Sequence, residues 1–161
     1  MRNLIIALVL MGGTNLAAAG PTVDRSPPIL PDSIKTPGVF DSTATVETIC
    51  KKGYTATVRH VTDKQKNEVF AEYGLERSGS YEVDHLISLE LGGSNDTRNL
   101  WPQSYYGMWG ARVKDTLENR LHTLVCDGKM SLREAQLEIS TNWIETYCKY
   151  IPSDDCRGIN E

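Results

Sequence analysis

What this chain of 161 residues lacks narrows its class before any motif is considered. Its longest apolar run, Leu4 to Met11, is too short to span a bilayer, which needs roughly 20 such residues. No two cysteines stand in a CxxC pair, so the ligand spacing of a structural zinc site is missing. No GxSxG elbow and no Cys-His nucleophile pattern is present, which leaves an acyl-transfer hydrolase without its parts. An excess of positive charge is also absent: the formal net charge is −4, and −5 without Arg2. Proteins that coat DNA rest on a basic surface, so any nucleic-acid contact here must be local. There is no internal repeat, and the length suits one domain with a modest core.

Arg2, the run Leu4 to Met11 and Ala17-Ala18-Ala19 before Gly20 follow the charged, apolar and small-residue order of a secretory signal. Residues 1–19 are therefore expected to be a signal peptide; an uncleaved membrane anchor is the alternative. No cysteine stands at the cleavage point to take a lipid. The expectation is a periplasmic or secreted protein with no stable membrane association. Cys50, Cys126, Cys148 and Cys156 suit an oxidising compartment as two disulfides. Of three possible connectivities, the nearness of Cys148 to Cys156 favours that pair together with Cys50–Cys126.

Residues 20–43 gather Pro21, Pro27, Pro28, Pro31 and Pro37 among Ser, Thr and Asp, the composition of a linker or mobile arm. An ordered strap docked through Ile29, Leu30, Val39 and Phe40 is the alternative. The folded domain is expected over residues 44–161. In it "TATVRHV" alternates like a short strand, and "TDKQKNEVFAEYG" reads as a helix capped by Thr62 or Asp63 and stopped by Gly74. "YEVDHLISLEL" and "TRNLW" read as two strands around the turn Gly92-Gly93-Ser94-Asn95-Asp96. Trp109, Val113, Leu117, Leu121 and Leu124 then line one helical face. A last helix opens with a capping box at Ser131 and Glu134, and Pro152 stops it. Its stripe of Leu132, Ala135, Ile139, Trp143, Tyr147 and Tyr150 belongs to a core, not to a stacking platform for bases.

Strand, glycine turn, strand and helix make a ββα unit with "DHLISLELGGSNDTRNLWPQ" at its heart. This stretch resembles the HNH, or ββα-metal, nuclease motif. The likeness extends to "GYTATVRHV" before it and to "ARVKDTLENRLHTLVCDG" and "LREAQLEISTNWIETY" after it, which is most of the domain. The resemblance implies an α+β fold: a small ββα-metal (HNH) core with additional helices, stabilised by disulfides. It also implies an endonuclease that hydrolyses phosphodiester bonds with one divalent ion, Mg²⁺ or Mn²⁺ ahead of Zn²⁺, and a nucleic-acid substrate, DNA ahead of RNA.

In that scheme His85 matches the general base, and its ordinary pKa near 6.5 suits the task at neutral pH. Asp84 matches a metal ligand, and Asn99 the central asparagine that orients the histidine and braces the strands. In a regular strand Asp84 and His85 would point to opposite faces, so a shared centre requires the strand to end or bulge there. The family's helix-borne ligand falls at Gly110, which has no side chain. Gln103, Asn95 or Asp115 could replace it, water could fill its place, or the centre could have decayed. Arg59 and Lys114 are candidates for holding phosphate, against the alternative of a solvated face. Two further functions stay open: a silent nucleic-acid-binding module and a structural exported domain.

Overall fold

A computed structural model describes residues 28–157; the expected signal peptide, residues 1–19, lies outside the described residues. The chain is α+β, in the order α1 (Val46–Ile49), α2 (Tyr54–Val58), α3 (Asp63–Glu72), β1 (Tyr81–His85), β2 (Leu100–Ser104), α4 (Ala111–Cys126) and α5 (Leu132–Tyr150). Helices start where side chains satisfy the first free amides. Thr45 and Thr62 open α1 and α3 with reciprocal capping boxes to Thr48 and Gln65. Ser131 opens α5 by accepting from the Glu134 amide. Midway, Asn142 leaves the helical angles, and its Oδ1 accepts from the Glu145 amide, so α5 bends and is capped afresh.

β1 and β2 form an antiparallel pair with Glu82 opposite Gln103, Asp84 opposite Trp101 and His85 opposite Leu100. The strand expected to reach Leu91 stops at His85. Beyond it Leu86, Ile87, Leu89 and Leu91 are all buried, and a 3-10 turn over Leu89–Leu91 replaces the ladder. A run buried on every side suits a turn packed into the core as well as a strand, and β2 offers it no further pairing. The returning segment likewise begins as a 3-10 turn, Thr97–Asn99, before β2. Gly93 has to be glycine for lack of space: a Cβ there would stand 1.7 Å from the Ile87 carbonyl oxygen.

"TATVRHV", expected as a strand, is not one: residues up to Val58 belong to α2, entered through Gly53 at a φ of 83°. Alternating β-branched residues make a strand only beside a partner, and the two-stranded sheet of the described residues ends with β1 and β2. Here Thr57 turns its hydroxyl onto the Tyr54 carbonyl instead.

The part of the Pro-rich segment that is described, from residue 28 to 43, is a strap on the domain, not a free arm. Thr36 is buried and donates through its hydroxyl to the Leu100 carbonyl. The Gly38 amide donates to Arg98, and Phe40 bridges to Gly93. Beneath lies one core, in which Ile49, Trp101, Leu117, Leu121, Ile139, Trp143 and Tyr147 meet. Trp109 meets Trp143 and Tyr147 edge to face, with centroids 6.0 and 5.7 Å apart, so these aromatics serve packing. Cys50–Cys126 joins the end of α1 to the end of α4, and Cys148–Cys156 fastens the segment after α5. Both pairs are the expected ones.

Candidate active site at the end of strand β1

Asp84 leaves β1 toward α4. The Lys114 ammonium donates to Asp84 Oδ2 at 2.9 Å, to the His85 carbonyl at 2.7 Å, and to Glu118 one turn further along the helix. Ser88 donates to the other Glu118 oxygen at 2.8 Å. The same ammonium lies 5.1 Å above the Trp101 ring. Burial disfavours its charge, but the Asp84 and Glu118 carboxylates outweigh burial and hold its pKa above the ordinary lysine range. Burial, reinforced by Asp84 and opposed by Lys114, pushes the Glu118 carboxyl up to about 7. Lys114 is thus a fixed internal cation. Its side chain is 0 % exposed, so it cannot hold a substrate phosphate as expected from the sequence.

His85 leaves on the other side, as strand alternation requires. Its Nε2 lies 3.1 Å from Asn95 Oδ1. Asn95 is itself oriented: its Nδ2 donates to the Val58 carbonyl at 2.8 Å, and its Oδ1 also accepts from the His60 amide at 3.3 Å. Nε2 must therefore donate, which makes Nδ1 the basic nitrogen of the neutral ring. Burial lowers the His85 pKa; Asp84 and Asn95 oppose this, while Arg59 and Lys114 add to it. The ring lines a cleft of about 490 Å³ whose walls include Arg59, Lys66, Arg77 and Tyr105. Among the described residues Arg59 enters no ion pair.

Asn99 does one of the two jobs expected of it, bracing the strands, and not the other, orienting the histidine. It is fully buried, and its amide is spent on the loop: Oδ1 accepts from Ile87 and Val39, and Nδ2 donates to Ile87 and Ser94. It braces the hairpin, but it does not touch His85 and has no oxygen free for a metal. Asn95 performs the orienting role. In the sequence it looked like one more turn residue, and nothing in its spacing marked it otherwise. Glu118 was equally silent, although its place four residues after Lys114 is ion-pair spacing on a helix.

Asp84 and His85 therefore diverge, and no side chain at their junction gathers both onto one point. Gly110 starts α4 with no side-chain cap. A Cβ on it would meet the carbonyl oxygens of Tyr105, Tyr106 and Ser104 at 3.0, 3.1 and 3.2 Å. A glycine is therefore what the packing of the 104–106 loop accommodates most easily.

Whether a divalent ion suits this place can be judged from its donors. Gln103, buried and on the Asp84 face of the hairpin, has both amide atoms without a hydrogen-bond partner. Burial first and the Asp84 charge second push up the carboxyls of both Glu82 and Asp115. Hard oxygens in excess of fixed cations, beside an orphaned amide oxygen, fit a hard cation. Cys50, His122 and Cys126 also bring ligand atoms together. Both sulfurs are joined in the Cys50–Cys126 bridge, so no thiolate is on offer there.

No protein-family model, no curated protein and no solved structure matches the chain. Its two disulfides and the absence of free cysteines among the described residues match an oxidising compartment. No helix of the described residues is long and apolar enough to cross a membrane.

Proposed function

We propose that the chain is an exported, metal-dependent endonuclease of the HNH type, acting in the periplasm or outside the cell, with His85 as general base. One observation carries this reading: an imidazole with its Nε2 anchored by Asn95, kept neutral by burial, lines a cleft that also holds the unpaired guanidinium of Arg59. A neutral ring with one nitrogen committed and one basic nitrogen left is ready to take a proton from water. Arg59 supplies positive charge for a phosphate beside it.

Asp84 and Gln103, on the hairpin face opposite to the His85 ring, together with Asp115 of α4, are the residues that would hold the ion. When bound, a divalent cation stabilises negative charge on phosphate oxygens and on the departing oxygen. The rest of the work falls to the protein. Lys114 sets the rotamer of Asp84 and grips the His85 carbonyl, so one ammonium fixes the backbone from which the base projects. Asn99 holds the loop behind it.

A second reading has its own observation. Because Lys114 already neutralises Asp84, and Gly110 offers no ligand, the same frame suits a binding module without catalysis. The two part on a simple assay. Plasmid DNA and RNA are incubated with Mg²⁺, Mn²⁺, Zn²⁺ or chelator, beside His85→Ala. Chelator-sensitive nicking that disappears in the variant is the expected result. Retention of nucleic acid with no cleavage under any metal would leave the module in possession of the site.

A further inference from the structure

The cleft beside His85 has three features that the hydrolysis itself does not require. Its cations, Arg59, Lys66 and Arg77, come from three separate places in the α2–β1 region of a chain whose net charge is −4. Its remaining wall is largely apolar and aromatic, built from Phe70, Tyr81 and Val83 among others, with one carboxyl, Glu82, whose charge is disfavoured first by burial. At its lip, Tyr105 leads into the loop from β2 to α4, where Tyr106 is 62 % and Met108 58 % exposed. Three of four consecutive residues there present large apolar groups to solvent, in contrast to Trp109, Trp143 and Tyr147, which pack on one another.

A nucleotide in a duplex offers only its phosphates to such a cleft, because its base is paired and stacked inward. His85, at 3 % exposure, is recessed behind the walls and not presented on a convex surface. An unpaired nucleotide can bring both halves: phosphate to the cations, base to an aromatic face. Aromatic side chains next to a basic groove are the usual device for holding single strands, since every base has a face to stack.

We propose that the cleft selects single-stranded nucleic acid, with Arg59 holding a phosphate and Tyr106 stacking on an adjoining base. This rests on the nuclease reading for its biological sense, yet binding can be measured without turnover. The protein in chelator is titrated into fluorescein-labelled twelve-nucleotide oligothymidylate, oligouridylate and a twelve-base-pair duplex, at one ionic strength, and anisotropy is read. At least one of the two single strands is expected to bind about tenfold or more tightly than the duplex. Their order shows whether the sugar is read. Tyr106→Ala, at an exposed site that leaves the fold alone, is expected to weaken the single strand by about fivefold to a hundredfold and the duplex by less than twofold. A duplex bound as tightly as both single strands, no binding of either, or an indifferent Tyr106→Ala overturns the proposal. Single-strand binding with no cleavage under any metal would sink the nuclease reading and leave this one standing. Cleavage without strand preference would do the reverse.

Discussion

Asp84 and His85 are neighbours in one strand, but they belong to different electrostatic worlds. On the Asp84 side charges are matched and closed in: Lys114 answers both Asp84 and Glu118, Ser88 caps the second Glu118 oxygen, and Trp101 lies under the ammonium. On the His85 side charges are open. Arg59 is unpaired among the described residues, Lys66 pairs with exposed Asp63, and Arg77 reaches Asp63 and Asn67, both at the surface. Closed networks convert substitution into lost stability; open ones convert it into lost binding or rate. The contrast is therefore a functional map of the hairpin, and it can be broken at named residues.

The largest effect is expected on the open side. If His85 is the base, as proposed, His85→Ala should lower kcat by about 10²- to 10⁴-fold, the usual worth of a general base, with urea unfolding changed far less than activity. A plasmid-nicking time course beside an unfolding curve measures both. A variant that cuts at the wild-type rate would detach His85 from catalysis altogether.

On the closed side Lys114→Met removes a fully buried cation and strands the largely buried carboxylates of Asp84 and Glu118. Breaking a buried pair by deleting one partner costs about 3–5 kcal/mol, and the loss should appear as a lower urea midpoint. If the variant unfolds like the wild type, the network is not the structural lock its geometry describes.

The two sides also titrate in opposite senses. Burial lowers the folded pKa of His85 below its ordinary 6.5. The unfolded state thus takes up the proton first, and stability from this group is present above 6.5 and lost as pH falls below it. kcat/KM should lose activity along the same acid limb. The Glu118 carboxyl, raised from 4.5 to about 7, acts the other way. Its contribution is present below 4.5 and is lost as pH rises toward 7. Glu118→Gln should flatten the fall in melting temperature over that window while leaving the His85 limb in the rate profile; a shift of both together would show the two faces to be one titrating unit.

Smaller still is Arg59→Gln. An unpaired surface cation contributes within about 0.5 kcal/mol to stability, so the melting curve should not move. Loss of a phosphate contact should raise KM several-fold and reduce the salt dependence of binding by about one phosphate. An unchanged KM would place the substrate away from this cleft.

How much of this was written in the residue order differs from element to element. The α4 and α5 stripes, the Ser131 cap and both disulfide pairs were legible because period, cap chemistry and oxidising context are local signals. α2 was not, because the β-branched Thr55, Thr57 and Val58 carry no record of whether a partner strand exists. In the site, the chemical types Asp84 and His85 were visible and their divergence was foreseeable from strand alternation. The partners were not: Lys114 and Asn95 lie 30 and 10 residues from the groups they hold, and only the packing of α4 and the turn brings them in. The arm shows the same limit, since prolines announce an extended chain but not the Leu100 carbonyl that captures Thr36.

Gly110 stands between the two sides, at the start of α4 and against the loop that carries Tyr105. If the centre lacked a helix-borne ligand, Gly110→Asn would supply one and raise activity. It would also give α4 the side-chain cap it lacks, a gain over glycine of roughly a few tenths of a kcal/mol. Against this, the new Cβ sits 3.0 to 3.2 Å from three carbonyl oxygens of residues 104–106, tight enough to displace the loop that carries Tyr105 to the cleft. The expected outcome is a small change in melting temperature with activity lowered a few-fold through KM, because the open side is disturbed while the closed side is not. Activity raised several-fold, with metal affinity tightened in parallel, would instead mean that the glycine marks a missing ligand, and that the locked pair of Asp84 and Lys114 is only a resting arrangement of the metal site.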